Sequence, residues 1–470
     1  MTDAIKRTIR ESAGARWTAL AIVSFTMFCG YLFTDVMSPL KPMLQQSIAD
    51  GGLAWSSIDF GFFAGAYGFL NVFLFMLVLS GIILDKKGIR FSLIISAAIM
   101  VIGAVMQYIA VAKNFAPDAT TQFLFWEMKS QIFWASFGYA VFGVGVEFAG
   151  ITVSKVIVKW FTGYQIALAM GLQVSFARLG SMAGLAFPAM IAIKWGLTTP
   201  VLLATVLLII GFLSFIFYTF MDKKLDKQEA DVKAASTEEH VDEEGFRTSD
   251  ILVILKNKGF WYIALLCVLF YGGVFPFYKF GADLFVNKFG MSPKFAGLVP
   301  SIIPIGTLAL TPLFGNIYDR KGKGATIMLI GAIMLLIVHI ILFLPGITSV
   351  AVGAIAVIFL GIAFSLVPSA MWPSVPKIIP NHLLGTAFAL IFYIQNIGLM
   401  LIPMSLGIVL DKTNPGVAEQ IAAGQDVVYN YTTTMSIFVG LAALAVIVAI
   451  ALLRDDKKEG FGLELPNMQK

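Results

Sequence analysis

Glu147 and Arg178 are the two residues whose type and placing point most directly to chemistry. Each stands in the middle of a long apolar segment, within a stretch (131–185) that a short polar turn, Lys159 to Gln165, divides in two. A full charge inside an apolar helix is costly, and such residues pair with one another or serve a pathway. At 1.5 Å per residue Glu147 lies ~18 Å before the turn and Arg178 ~20 Å after it. In a hydrocarbon layer ~30 Å thick, both fall near the midplane at matching depth. An arginine fork grips a carboxylate through two parallel hydrogen bonds. A glutamate accepts an ammonium group or carries a proton. Together they fit a solute bearing both charges; an internal Glu–Arg bridge that only ties two helices is the alternative. Small and polar residues share their faces: Gly143, Gly150 and Ser154 with Glu147, and Gly171, Ser175 and Ser181 with Arg178. Such stripes allow close helix packing or a wet cavity.

The elements that position this pair are membrane spans. The chain has 470 residues, 58% hydrophobic and only 13% charged, against about 25% charged in soluble domains. That leaves too little charge to cover a water-soluble body, so the lipid bilayer is the solvent for most of it. Apolar run lengths predict twelve spans, near 17–39, 57–84, 91–112, 131–158, 165–193, 199–221, 259–282, 294–318, 324–345, 348–373, 382–410 and 432–453. The fold expected is an all-α membrane protein, with twelve transmembrane helices in two pseudo-symmetric six-helix bundles. The divisions are 1–16 (N-terminal segment), 17–221 (first bundle), 222–258 (polar linker ending in a short surface helix), 259–453 (second bundle) and 454–470 (tail). Of the 33 Lys and Arg residues, 24 fall on the side of the termini and eight on the other, with Arg178 in the membrane. The positive-inside rule then makes both termini cytoplasmic. The basic start runs into a full-length span, so a cleavable signal peptide is not expected.

The two halves repeat. Gly81, Asp85, Lys86, Gly88 and Arg90 in G-I-I-L-D-K-K-G-I-R are matched by Gly315, Asp319, Arg320 and Gly322 in G-N-I-Y-D-R-K-G-K-G. Arg178-Leu179-Gly180 is matched by Asn396-Ile397-Gly398. Two matched six-span halves are a signature of secondary transporters. The loop glycines suit close helix approach, and the aspartates suit a neighbouring helix N-terminus or nearby basic groups, which makes the loops candidate gate latches. Glu147 and Arg178 correspond to Ser365 and Asn396, so the charges belong to one half only. That favours a substrate site over a bridge the fold requires.

Tyr31, Tyr271, Tyr393, Gln395 and Asn396 are further candidates to line the site. Asp35 reads as a vestibule or interfacial acid, Lys279 and Asp283 as solvated span ends, and His339 as a packed core residue. Nothing points to an enzyme: there is no phosphate-binding loop, no nucleophile elbow and no metal spacing among the three histidines. Neither a cofactor nor nucleic acid is expected. Cys29 and Cys267 read as separate buried thiols.

The spans and paired loops resemble the major facilitator superfamily, whose best-known signature is the motif at Gly81–Arg90. A narrower likeness runs through W-F-T-G-Y-Q-I-A-L-A-M-G-L-Q-V-S-F-A-R-L-G-S (Trp160 to Ser181), V-F-P-F (Val274 to Phe277), N-K-F-G (Asn287 to Gly290), L-G-T-A-F (Leu384 to Phe388) and I-Q-N-I-G-L (Ile394 to Leu399). These are similar to the branch that contains the lysosomal dipeptide transporters. The resemblance implies a mid-membrane acid and arginine that bind the dipeptide's termini, here Glu147 and Arg178, and facilitated diffusion. Short outer loops and the lack of a dileucine-type signal in the N-terminus set this chain apart, and the expectation is a bacterial inner-membrane relative. It is expected to act as a monomer on a small peptide-like or carboxylate-bearing solute, by alternating access, with proton coupling open. An organic-anion exchanger and a transporter-like sensor are the other readings.

Overall fold

In hydrocarbon a backbone must satisfy its own hydrogen bonds, so long apolar runs become helices. The computed structural model describes residues 8–113, 115–116, 119–123, 126–233 and 248–467. Lys6, Arg7, Lys470 and linker residues 234–247, with His240, lie outside these. The first half holds α1 (Ala13–Asp35), α2 (Ser57–Phe73), α3 (Met76–Ala112), α4 (Ser130–Phe161), α5 (Ile166–Ala186) and α6 (Thr199–Lys233). The second holds α7 (Lys258–Phe289), α8 (Leu298–Lys321), α9 (Gly324–Phe343), α10 (Val350–Ile378), α11 (Leu384–Thr413) and α12 (Thr432–Glu459). Among the described residues ten helices are long and apolar enough to cross a membrane, and α5 with its bent continuation Pro188–Trp195 makes eleven. The 17-residue α2 completes the twelve. The second span breaks at Phe75, a non-glycine residue at φ 51°, and resumes as the start of α3. Gly88, at φ 79° and ψ 174°, then separates it from the third span. A hairpin, β1 (Thr120–Phe123) against β2 (Trp126–Lys129), lies between α3 and α4.

One boundary differs from expectation. Helix α6 does not end at 221 but continues to Lys233. Asp222 and Asp226, one turn apart, both accept from Lys159 Nζ at 2.6 Å, so the polar extension packs against α4. The short helix after the linker does form, at Thr248–Lys256.

An even number of crossings brings both ends of the chain to one face, called here the terminal face; the other is the far face. The halves meet along α2–α11 and α5–α8. Small residues make the first contact possible. A Cβ on Gly61, Gly65 or Gly68 would lie 2.6, 2.4 or 2.8 Å from the carbonyl oxygens of Pro403, Met400 or Asn396.

Candidate substrate site and gates

Tyr67 on α2 donates its hydroxyl to Glu147 Oε1 at 2.7 Å. The glycine stripe of α4 explains how it gets there: a Cβ on Gly143, one turn before Glu147, would lie 2.4 Å from the Tyr67 carbonyl oxygen. On α5, Gly180 lets α1 in equally closely, with the Phe28 carbonyl 2.2 Å from a would-be Cβ. This brings Tyr31 beside Arg178. The guanidinium carbon lies 5.9 Å from the Tyr31 ring, 5.7 Å from Phe275 on α7 and 5.2 Å from Phe364 on α10. Aromatic faces of both halves therefore steady the cation. Its Nη1 is buried without a hydrogen-bond partner. Glu147 and Arg178 are both half-buried, and no ion pair joins them: the acid is held by Tyr67 and the guanidinium by rings.

Among the other candidates, Tyr271 joins the same ring cluster. It lies 5.4 Å from both Phe275 and Phe364, and its hydroxyl accepts from Trp372 Nε1 at 3.0 Å. Tyr393 stands apart, stacked on Phe75 across the two halves at 5.1 Å. Gln395 accepts from Cys267 Sγ at 3.4 Å, and Asn396 donates to the Phe392 carbonyl at 3.0 Å. Both are buried in helix contacts. Tyr67, Phe275, Phe364 and Trp372 escaped the sequence reading. The run of glycines around Tyr67 was the available signal, since it marks a helix face that touches another backbone. With Tyr67→Phe, Glu147 loses a charge-assisted bond worth about 1.5–3 kcal/mol. The expected result is a melting temperature lowered by several degrees, measured by thermal unfolding in detergent.

At the terminal face the two motif loops are held within their own halves. Asp85 accepts from Lys155 at 2.7 Å, and Arg90 reaches Asp226 at 3.1 Å and Asp222 at 3.8 Å. Gly81 and Gly315 make no close helix approach in this structure, as nothing lies within 4 Å of a Cβ built on either. Gly88 has the same open surroundings, but its positive φ with extended ψ is a glycine-only conformation. Gly88→Ala is therefore expected to lower stability by about 1–3 kcal/mol through backbone strain alone, while Gly81→Ala is neutral. Paired thermal melts in detergent check this.

The far face is closed by charges that the sequence reading placed in solvent. Lys279 and Asp283 are not solvated, Lys41, one of the eight basic residues counted on this side, is fully buried, and Asp35 is a buried ion-pair partner rather than a vestibule or interfacial acid. Lys41 Nζ donates to Asp283 Oδ2 at 2.5 Å with both side chains fully buried. Tyr431 donates to the same carboxylate oxygen. Lys279 Nζ donates to Asp35 Oδ1 at 2.8 Å, to the Thr34 carbonyl at 2.6 Å and to Tyr139 Oη at 3.1 Å. Asp411, from α11, accepts from the Ser57 and Ile58 amides at the start of α2, at 3.2 and 2.7 Å. The physical reason is mutual: each charge tolerates burial because its partner comes from the opposite half. Among the described residues every ion pair at the terminal face lies within one half. The conformation is latched at the far face and unlatched at the terminal face.

Twelve spans in two related halves, with an acid and an arginine half-buried in the spans and a latch between halves at the far face, define a membrane transporter. A family model, that of the Major Facilitator Superfamily, matches residues 23–403, and the chain belongs to that family. It is 26% identical over 412 residues to the lysosomal dipeptide transporter MFSD1 of Homo sapiens, covering 84% of this chain and 80% of that protein. With the MFSD1 of Danio rerio it is 28% identical over 411 residues, covering 84% and 81%. The nucleoside transporter NupG shares the fold at a TM-score of 0.67 and 15% identity, over 94% of this chain and 99% of that one.

Proposed function

We propose that this transporter carries small zwitterionic solutes, dipeptides or short peptides, across the membrane by alternating access. Arg178 takes the solute's carboxylate and Glu147 its ammonium. The observation that carries this reading is that the two charges, at matching depth, do not neutralise each other. Arg178 keeps a buried Nη1 without an acceptor, which is an unusual state for a guanidinium. A solute carboxylate supplies that acceptor. The likeness to dipeptide transporters supports the same reading. The basic bias of the terminal face supports cytoplasmic termini in a bacterial inner membrane, and on that reading the conformation described is inward-facing. One chain contains both halves of the path and works as a monomer.

Uptake into proteoliposomes tests the reading, with a panel of dipeptides, amino acids and dicarboxylates, each with and without an inward proton gradient. The expected result is dipeptide entry that unlabelled dipeptides compete away. Dicarboxylate exchange without dipeptide entry would replace this reading with the organic-anion one. Acceleration by the gradient would assign proton symport, and indifference to it facilitated diffusion.

A further inference from the structure

The second copy of the loop motif is held mainly by residues 460–467 of its own half, where the first is held by side chains of neighbouring spans, and Glu464 also pairs with Lys323 at 3.6 Å. After α12 the backbone turns back at Gly460 and Gly462, both at positive φ. Leu463 is fully buried, and its amide donates to Asp456 Oδ1 at 2.9 Å. The amides of Lys323 and Gly324 donate to the carbonyls of Glu464 and Leu463 at 3.0 and 2.9 Å. The Glu464 carboxylate accepts from the amide and hydroxyl of Thr326, at 2.8 and 2.9 Å. It thus sits on the N-terminus of α9, where unpaired amides and the helix dipole favour an acid. Lys377 Nζ holds the tail from α10, donating to the Gly462 and Leu465 carbonyls at 3.2 and 2.7 Å. Asn467 donates its backbone amide to the Asp319 carbonyl at 3.1 Å and its side-chain amide to Asp319 Oδ1 at 2.8 Å. A Cβ on Gly322 would lie 2.4 Å from the Glu464 carbonyl. The motif glycine of this half is the place where the tail crosses the loop, whereas a Cβ on its counterpart Gly88 would meet nothing within 4 Å.

The repeat gives this contact a meaning. In each half, the loop between the second and third spans is tied by the segment that continues from the sixth span. In the first half Arg90 is tied by Asp222 and Asp226 on the extension of α6. In the second half the tie falls on the aspartate itself. Asp319 ends α8, which packs against α5 of the opposite half, and α5 begins at Ile166 with no side-chain cap. An uncapped helix start at the terminal face is a natural acceptor for a carboxylate when that face closes. While Asn467 binds it, Asp319 is withheld.

We propose that residues 460–467 form an intramolecular strap that competes with the N-terminus of α5 for Asp319 and so favours the conformation open at the terminal face. Closing that face requires Asp319 to leave the strap. The strap sets the balance between the two conformations whatever the solute, so its failure and that of the dipeptide assignment are distinguishable.

The test uses the full chain in nanodiscs, with spin labels on Gln165→Cys and Lys321→Cys; the native Cys29 and Cys267 are buried. Asn467→Ala and the double variant Glu464→Ala/Asn467→Ala are expected to raise the short-distance, closed population about fivefold or more, the scale of one hydrogen bond to a charged group. Adding Asp319→Asn to either variant is expected to remove the increase. Thermal melts run alongside. A variant that melts lower without changing the distance distribution shows a strap that only stabilises the fold, and overturns the proposal. An increase that survives Asp319→Asn also overturns it. Removing all residues after Glu459 is the stronger perturbation, and the point variants stand in if that form does not fold.

Discussion

Lys41→Met opens the far face. In the wild type the ammonium of Lys41 lies against Asp283 and Ser57, 5.3 to 5.9 Å from the rings of Tyr429, Phe280 and Phe60, with no exposed surface. Methionine fills most of the same volume but leaves Asp283 buried without a cation, with only the Tyr431 hydroxyl and the Gln45 side-chain amide as neutral donors. Breaking a buried pair on one side costs about 3–5 kcal/mol, most of it from the stranded charge. Only the closed far face bears that cost, because in the open conformation water reaches the acid. The expected shift is therefore about two to three and a half powers of ten toward the far-open state. Spin labels at Ile48 and Val428, both well exposed and on opposite halves, should report a longer distance, and transport should slow because the return step is disfavoured. Lys41→Met/Asp283→Leu removes both charges and is expected to restore closure. A single variant that keeps the short distance would mean that the lock does not hold this face.

That lock shows where sequence reading stops. The twelve spans were legible because hydrocarbon forces long apolar runs into helices, and the loop repeat because its glycines and charges recur in register. Glu147 and Arg178 were legible because a charge in mid-span is conspicuous on its own. Lys41, Asp35, Lys279 and Asp283 were not. Each lies near a predicted span end, where a charge is ordinarily hydrated, and only the docking of one half on the other removes that water. The pairing joins positions more than 240 residues apart, and no local pattern encodes it. The same holds for Tyr67, whose meaning comes from Gly143 on another helix, and for Gly322, whose crowding comes from the chain's last residues. The boundary after Met221 shifts for the same kind of reason. There the charged stretch expected to leave the sixth span as a flexible or loosely helical linker continues its helix to Lys233, because Asp222 and Asp226 meet Lys159 and Arg90 once α4 and α3 stand beside it.

Arg178→Lys is expected to abolish most dipeptide uptake although it conserves the charge. Lysine at this position keeps a cation within reach of Tyr31, Phe275 and Phe364, so the depth and sign of the site survive. It loses the planar fork, and with it the second parallel hydrogen bond to a carboxylate. One hydrogen bond between charged groups is worth about 1.5–3 kcal/mol, and uptake at low substrate concentration should fall about ten- to hundredfold. The controls separate recognition from architecture. C-terminally amidated dipeptides offer no carboxylate, so their already weak uptake should be the same in Arg178→Lys as in wild type. Glu147→Gln should show the converse pattern, weakening substrates with a free amine and sparing amine-blocked ones. If the two residues only tied α4 to α5, both substitutions would lower the melting temperature and reduce every substrate alike. That outcome is hard to reconcile with a glutamate held by Tyr67 and an arginine held by rings, since neither residue bonds the other in the conformation described. The selectivity of the two losses, rather than their size, decides whether the charges read the solute.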